Sequence, residues 1–157
     1  MTMEYTHVLG DIPTLANGAS PRGEWENLDA VWVAVRPYLR TRANDIHLPL
    51  SFNFAELLLD HHPEADSLVT RLAILLHDTG WARVDEDRII SEGFRSDNAM
   101  QSDIRVLHEI EGCNIAREVL PPLGYSEEVV EAVCKIIDGH DTDPNHDGIE
   151  DAIMRDA

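Results

Sequence analysis

Leu72-Ala73-Ile74-Leu75-Leu76-His77-Asp78-Thr79-Gly80 decides how this chain is read. Five apolar residues run without interruption into a histidine and an aspartate, and a glycine follows two residues later. The run reads as the buried end of a helix, with Gly80 at the position of a helix C-cap glycine. That puts one imidazole and one carboxylate at the bottom of a hydrophobic core. A buried carboxylate is costly unless it is paired or binds a metal. Neighbours on a regular helix do not face the same way, but at the last turn the backbone is free to bring both side chains to one point. The negative end of the helix dipole favours a cation there. The local chemistry is that of a metal site.

Working outward, helical spacing recurs on both sides. Leu28, Val31, Trp32, Val35 and Leu39 predict a helix over Glu24 to Arg42. Asn44-Asp45 is a start signal for a second helix to Asp60, with Pro49 bending or delaying its first turn. Asp66 to Asp78 is the central helix. Residues 81 to 100 are polar and mixed, a long loop or short helix of the kind that covers active sites. Ile104, Val106, Leu107, Ile110, Ile115, Ala116 and Val119 predict a helix over Ser102 to Leu120, which Pro121-Pro122-Leu123-Gly124 breaks. Another helix runs from Ser126 to Ile137, a polar loop spans Asp141 to Gly148, and a last helix begins at Ile149. No strand period rises above noise. The chain reads as all-α: an arm or loop over residues 1–23 and one helical domain over 24–157.

Composition sets bounds on partners. Thirty acidic residues against 12 basic ones leave a net charge of -18, which repels phosphate backbones and anionic membranes. A small phosphorylated substrate stays compatible, because a metal supplies positive charge locally. Nucleic-acid polymers and membranes are not expected partners. Cys113 and Cys134 lie far apart in helical segments and read as small core residues without a disulfide framework, which suits a reducing cytoplasm. Met1 to Thr6 shows no signal-peptide pattern, and no apolar stretch approaches membrane-spanning length.

Four histidines, His47, His77, His108 and His140, are separated by 30, 31 and 32 residues. Such spacing is about one helix out, a loop and one helix back, at a rise of ~1.5 Å per residue. Bundle cores build metal sites from inward residues on facing helices. Spacing alone leaves joint metal binding and a scatter of core and surface histidines both open. The ordered set His47, His77-Asp78, His108, His140 and a late aspartate resembles the HD-domain superfamily of metal-dependent phosphohydrolases. Leu75-Leu76-His77-Asp78-Thr79-Gly80 is similar to the family's apolar-His-Asp-x-Gly signature. His108-Glu109-x-x-Gly112 is similar to a downstream helix in many members, and His140 to the histidine that often closes the next one.

The resemblance implies roles. His47, His77 and Asp78 would hold a first metal, and Asp78 could bridge to a second; His108 and His140 would hold that second ion or, as in mononuclear relatives, contact substrate phosphate. Imidazole and carboxylate ligands suit one or two divalent ions of Fe, Mn, Co or Ni ahead of Zn or Mg. The family's last ligand is an aspartate within an Asp-Ala-Asp or Ala-Asp-x-Leu run. The chain ends Met154-Arg155-Asp156-Ala157 where that run is in progress. The role therefore falls to Asp156 or to a residue after Ala157, on the expectation that the natural chain continues; Asp151, over a turn upstream, is a weaker substitute. Asp78 is the expected catalytic carboxylate, with Glu109 or Asp85 as acid or base. Arg83 and Lys135, with Arg105 and Arg155, are the cations nearest in sequence for gripping phosphate.

The expected activity is hydrolysis of a phosphate ester in a small metabolite, a nucleotide among the candidates, by a metal-activated water. Two rivals share the same ligands: an HD-type di-iron oxygenase and a metal-binding regulatory domain without turnover. The acidic run Asp141 to Gly148 lacks the glycine and glutamate of a calcium loop, having His146 and Ala152 there, and reads as a solvated loop.

Overall fold

The computed structural model describes residues 26–93, 103–145 and 147–157. The expected arm over 1–23, Trp25, His7, His146 and the end of the 81–100 stretch lie outside the described residues. Seven α-helices are described: α1 (Glu26–Val35), α2 (Asn44–Leu59), α3 (Ser67–Leu76), the single turn α4 (Glu86–Arg88), α5 (Asp103–Val119), α6 (Glu127–Ile137) and α7 (Ile149–Asp156). No strand occurs among the described residues, so the all-α reading holds. None of these helices is long and apolar enough to cross a membrane.

α3 is the hub. It packs against α1, α2, α5, α6 and α7. Leu72, Ala73, Ile74, Leu75 and Leu76 are all fully buried, because an element surrounded on every side has no face left for polar residues. Burying each of its large side chains contributes about 1.5–3 kcal/mol. Its start is fixed by Asp66, whose Oδ1 accepts the Val69 amide at 3.0 Å. A two-pronged ion pair from Arg71 to Glu56 ties it to α2.

Two boundaries differ from the sequence reading. α1 stops at Val35, not Arg42, because Pro37 has no amide to continue it, and the chain tightens into a 3-10 turn over Arg36–Tyr38. α2 begins at Asn44 as expected and runs through the buried Pro49. α3 stops at Leu76, and the chain passes through His77 and Asp78 into a 3-10 segment, Thr79–Arg83.

That last difference changes the role of Gly80. It is not a left-handed cap: the described glycines with positive φ are Gly124, Gly139 and Gly148. A Cβ on Gly80 would lie 1.9 Å from the His108 carbonyl oxygen and 2.5 Å from the Gly112 nitrogen. Gly112 is itself pressed close, with a Cβ there 3.1 Å from the His77 carbonyl oxygen. Two glycines thus let the His77–Gly80 segment lie directly on the backbone of α5. This contact carries Asp78 to His108.

Candidate metal centre

Asp78 is the centre of the site. His47 Nε2 lies 3.4 Å and His77 Nε2 3.8 Å from its Oδ2. His108 Nε2 lies 3.6 Å and His140 Nε2 3.7 Å from its Oδ1. The four histidines form two facing pairs, His47 with His77 at 3.2 Å and His108 with His140 at 3.4 Å between Nε2 atoms. Two groups of three therefore share one carboxylate: His47, His77 and Asp78, and Asp78, His108 and His140. Within each, the donor atoms lie within 4.8 Å of one another.

Local structure aims these rings. His77 follows the last residue of α3 and donates Nδ1–H to the Ile74 carbonyl at 2.9 Å. His140 lies just past the end of α6 and does the same, donating to the Ile137 carbonyl at 2.7 Å. A carbonyl only accepts, so Nδ1 carries the proton and the Nε2 lone pair faces the cluster in the neutral ring. His108 is fully buried on α5 and its Nδ1 has no partner. Its ring is held by stacking on Trp81 instead, with centroids 4.0 Å apart and planes 12° off parallel. Trp81 also donates Nε1–H to Asp78 Oδ1 at 3.1 Å. Asn44, the first residue of α2, donates Nδ2–H to the Asp78 carbonyl at 2.9 Å, and so sets the turn of α2 that presents His47.

The donor set fits a divalent cation. Two Nε2 lone pairs facing at 3.2 Å repel unless a cation or proton lies between them. Ligands about 2.1 Å from a common ion sit about 3.0–3.4 Å from each other, close to the spacings observed. Burial works to raise the Asp78 pKa, but His77, His140 and His108 outweigh it and hold the carboxyl far below its usual range. Burial pushes His77 down to about 4 and His108 down to about 3. At neutral pH Asp78 is a carboxylate beside the neutral rings of His77 and His108, an arrangement suited to a cation.

These shifts set an expected pH dependence for the metal-free chain. An unfolded histidine titrates near ~6.5, so on unfolding His77 and His108 take up protons at lower pH. Their contribution is full above ~6.5 and is lost as pH falls towards their folded values. His140 acts in the opposite sense: burial opposes its charge, but the Asp78 carboxylate and Ile137 carbonyl raise its pKa. With two histidines against one, stability should fall by on the order of 3 kcal/mol between about pH 7.5 and about pH 5. Urea midpoints measured in chelator at both pH values check this, and a flat profile rules out neutral buried imidazoles.

Not every expected residue joins the cluster. Asp156 is exposed near the end of α7. Asp151 is buried but turned to its own helix start, accepting the Asp147 amide at 3.0 Å and Arg155 Nε at 2.9 Å. Glu109, next to His108 on α5, stands behind His140, with its Oε1 3.8 Å from His140 Nδ1, and belongs to neither ligand group. Its two oxygens accept the Asp141 amide and the Thr142 hydroxyl, each at 2.8 Å. Asp85 accepts the Arg88 amide and caps α4. Arg83 is drawn away to Glu111 and Glu118, and Lys135 to Asp147. The arginines that line the pocket of about 300 Å³ over the cluster are Arg42, Arg105 and Arg155. Arg105 meets Asp141 at 2.9 Å, and Arg155 bonds the Gly139, Asp143 and Asn145 carbonyls of the loop after His140. Arg42 stands over the outer face of Trp81, 4.3 Å from the ring centroid.

Sequence reading gave Arg42 no role at the site, took Asn44 only as a helix start signal, and treated Asp141 only as part of an acidic loop. Arg42 and Ala43 both have positive φ, at 53° and 56°. Strain of about 1–3 kcal/mol per residue in this conformation clusters at functional sites, and here the pair of residues leads directly into α2 and His47.

No curated protein and no solved structure matches the chain. The family model for the HD domain matches residues 45–157, a span that opens at the start of α2 and holds all five clustered ligand-type residues. On that match, and on a His/Asp cluster that fits the family's metal site, the chain belongs to the HD domain family.

Proposed function

We propose that this protein is a metal-dependent phosphohydrolase that cleaves a phosphate ester of a small metabolite, nucleotides included. The observation that carries the reading is the pairing of two ligand groups on Asp78 with three arginines around one pocket, in a chain of net charge -18. An acidic protein that gathers guanidinium groups at its one His/Asp cluster, among the described residues, favours an anionic substrate there. Family membership supports metal-dependent hydrolysis as the reaction class.

In this reading His47, His77 and Asp78 hold one cation, and Asp78, His108 and His140 hold a second. A divalent cation supplies a Lewis acid for the P–O bond and lowers the pKa of water towards ~7. The chain's own residues do the positioning. Trp81 steadies one oxygen of Asp78 and one face of His108. Arg42 binds phosphate at the pocket rim. Glu109 acts as a positioning residue, holding the start of the loop that follows His140, instead of as an acid or base.

The test starts with metal analysis of anaerobically purified protein, followed by assay against a panel of nucleotides and phosphate monoesters. Turnover with one or two divalent ions per chain is the expected result. Two irons with oxygen uptake and no phosphate release would establish the oxygenase instead. Metal without either activity would leave a regulatory domain. Arg42→Gln should raise KM for the phosphate ester about tenfold, the worth of one charge-assisted hydrogen bond, with metal content unchanged. An unaltered KM removes Arg42 from the substrate site.

A further inference from the structure

We propose that Cys113 and Cys134 form a redox-active dithiol, which closes to an intrachain disulfide between α5 and α6 on reaction with a small-molecule disulfide. The two residues are far apart in sequence but meet across the helix crossing. Cys113 donates its S–H to the Cys134 carbonyl at 3.4 Å, and Cys134 donates its S–H to the Cys113 carbonyl at 3.6 Å. Such a reciprocal pair exists only where two residues stand directly opposite one another. The helices approach this closely because Gly112, the neighbour of Cys113, has no side chain: a Cβ there would lie 3.2 Å from Ile137 Cγ2. Opposed cysteines on closely packed backbones meet the main requirement for a disulfide.

The thiols are also reachable. Each is largely buried, at 6% and 3% exposure, yet both line an open cavity of about 340 Å³ shared with Arg117, Lys135 and Asp138. This cavity is separate from the pocket over the histidines, and none of its lining residues belongs to the His/Asp cluster. The pair is chemically asymmetric. The Cys113 thiol and the nearby Arg117 guanidinium hold the Cys134 pKa below its ordinary value, whereas the same thiol contact and burial push Cys113 up. Cys134, in the same cavity as the Arg117 guanidinium, acts as the attacking sulfur in this proposal.

The exchange balances without any other reagent. The Cys134 thiolate attacks one sulfur of the small disulfide, the S–S bond breaks, and one small thiolate leaves. Cys113 gives up its proton to that thiolate and attacks the Cys134 sulfur, releasing the second small thiolate, which takes the proton lost from Cys134. Two protein thiols are oxidised and one small disulfide is reduced to two thiols. The new bond would tie α5, which carries His108, to α6, which leads into His140.

The test uses the full chain in chelator with glutathione disulfide, so the outcome does not depend on metal or turnover. Expected results are an intact mass lower by two hydrogens, a thiol titre falling from two to zero, and a peptide map linking Cys113 to Cys134. Cys113→Ser should instead accumulate one glutathione adduct on Cys134. The proposal is overturned by glutathione adducts on the wild-type chain that never close, by a disulfide between two copies, or by thiols that stay unreacted while the urea-unfolded chain reacts fully.

Discussion

Asp78→Ala should lose metal from both ligand groups at once and reduce phosphate-ester turnover by at least about 10³-fold. Each histidine belongs to one group, so losing any one weakens one ion. Asp78 is common to both: Oδ2 faces His47 and His77, and Oδ1 faces His108 and His140. It is also the only carboxylate in either group. Without it four imidazoles remain, with no anion in either group to offset a divalent charge. Removing an outer-shell partner of a metal site costs about 10–100-fold in affinity, and a shared direct ligand should cost more. Asp78→Asn separates charge from shape, since the amide nearly preserves volume but cannot carry the negative charge. Metal should be lost there too, while the fold, read by far-UV circular dichroism in chelator, stays native. Full metal content in either variant would refute the assignment of Asp78 as the shared ligand. His47→Ala supplies the graded comparison: its side chain is 45% exposed and it serves one group only, so about half of the bound metal should survive.

The sequence made the hub and the His77-Asp78 pair at its end legible because both are local signals. An apolar run that lacks a polar face marks an element buried on all sides, which is what Leu72 to Leu76 become in α3. Histidines returning about every thirty residues can return to one depth in a bundle; that spacing alone left a scatter open as well, and the four meet around Asp78. What stayed hidden depends on how backbones cross. Arg83 and Lys135 are near the ligands along the chain, but glutamates on α5 and an aspartate in the loop after α6 draw them elsewhere. Arg42 reaches the pocket through two left-handed residues that no periodicity encodes. Glu109 sits beside His108 in sequence, but its partners, the Asp141 amide and the Thr142 hydroxyl just past His140, follow only from how α5 and α6 pack. Cys113 and Cys134 look unrelated until the α5–α6 crossing is known. Asp156 fits the motif by position, but it is exposed on α7 while its neighbours Met154, Arg155 and Ala157 line the pocket.

Gly80→Ala should destabilise the chain by more than about 3 kcal/mol, enough to threaten folding of a domain whose total stability is about 5–15 kcal/mol. The reason is steric and cannot be relieved by a rotamer. The added methyl would meet backbone, at 1.9 Å from the His108 carbonyl oxygen and 2.5 Å from the Gly112 nitrogen. To fit it, the Thr79–Arg83 segment must move away from α5 by more than an ångström, and close-packed interiors resist such shifts. The same movement pulls Asp78 from His108 and slides Trp81 off the imidazole it stacks on. Any folded fraction should therefore lose the Asp78–His108–His140 group before the His47–His77–Asp78 group, which does not span that crossing. Gly124→Ala is the control, because it separates backbone conformation from collision. Gly124 has φ of 92°, and a methyl added there would meet nothing within 4 Å, so alanine should cost only the ~1–2 kcal/mol of a left-handed residue. Urea unfolding of both variants in chelator, followed by metal titration of the folded material, distinguishes the two costs. A Gly80→Ala chain with a wild-type midpoint and full metal loading would mean that the His-Asp segment does not rest on α5, and the geometry of the second ligand group would fall with it.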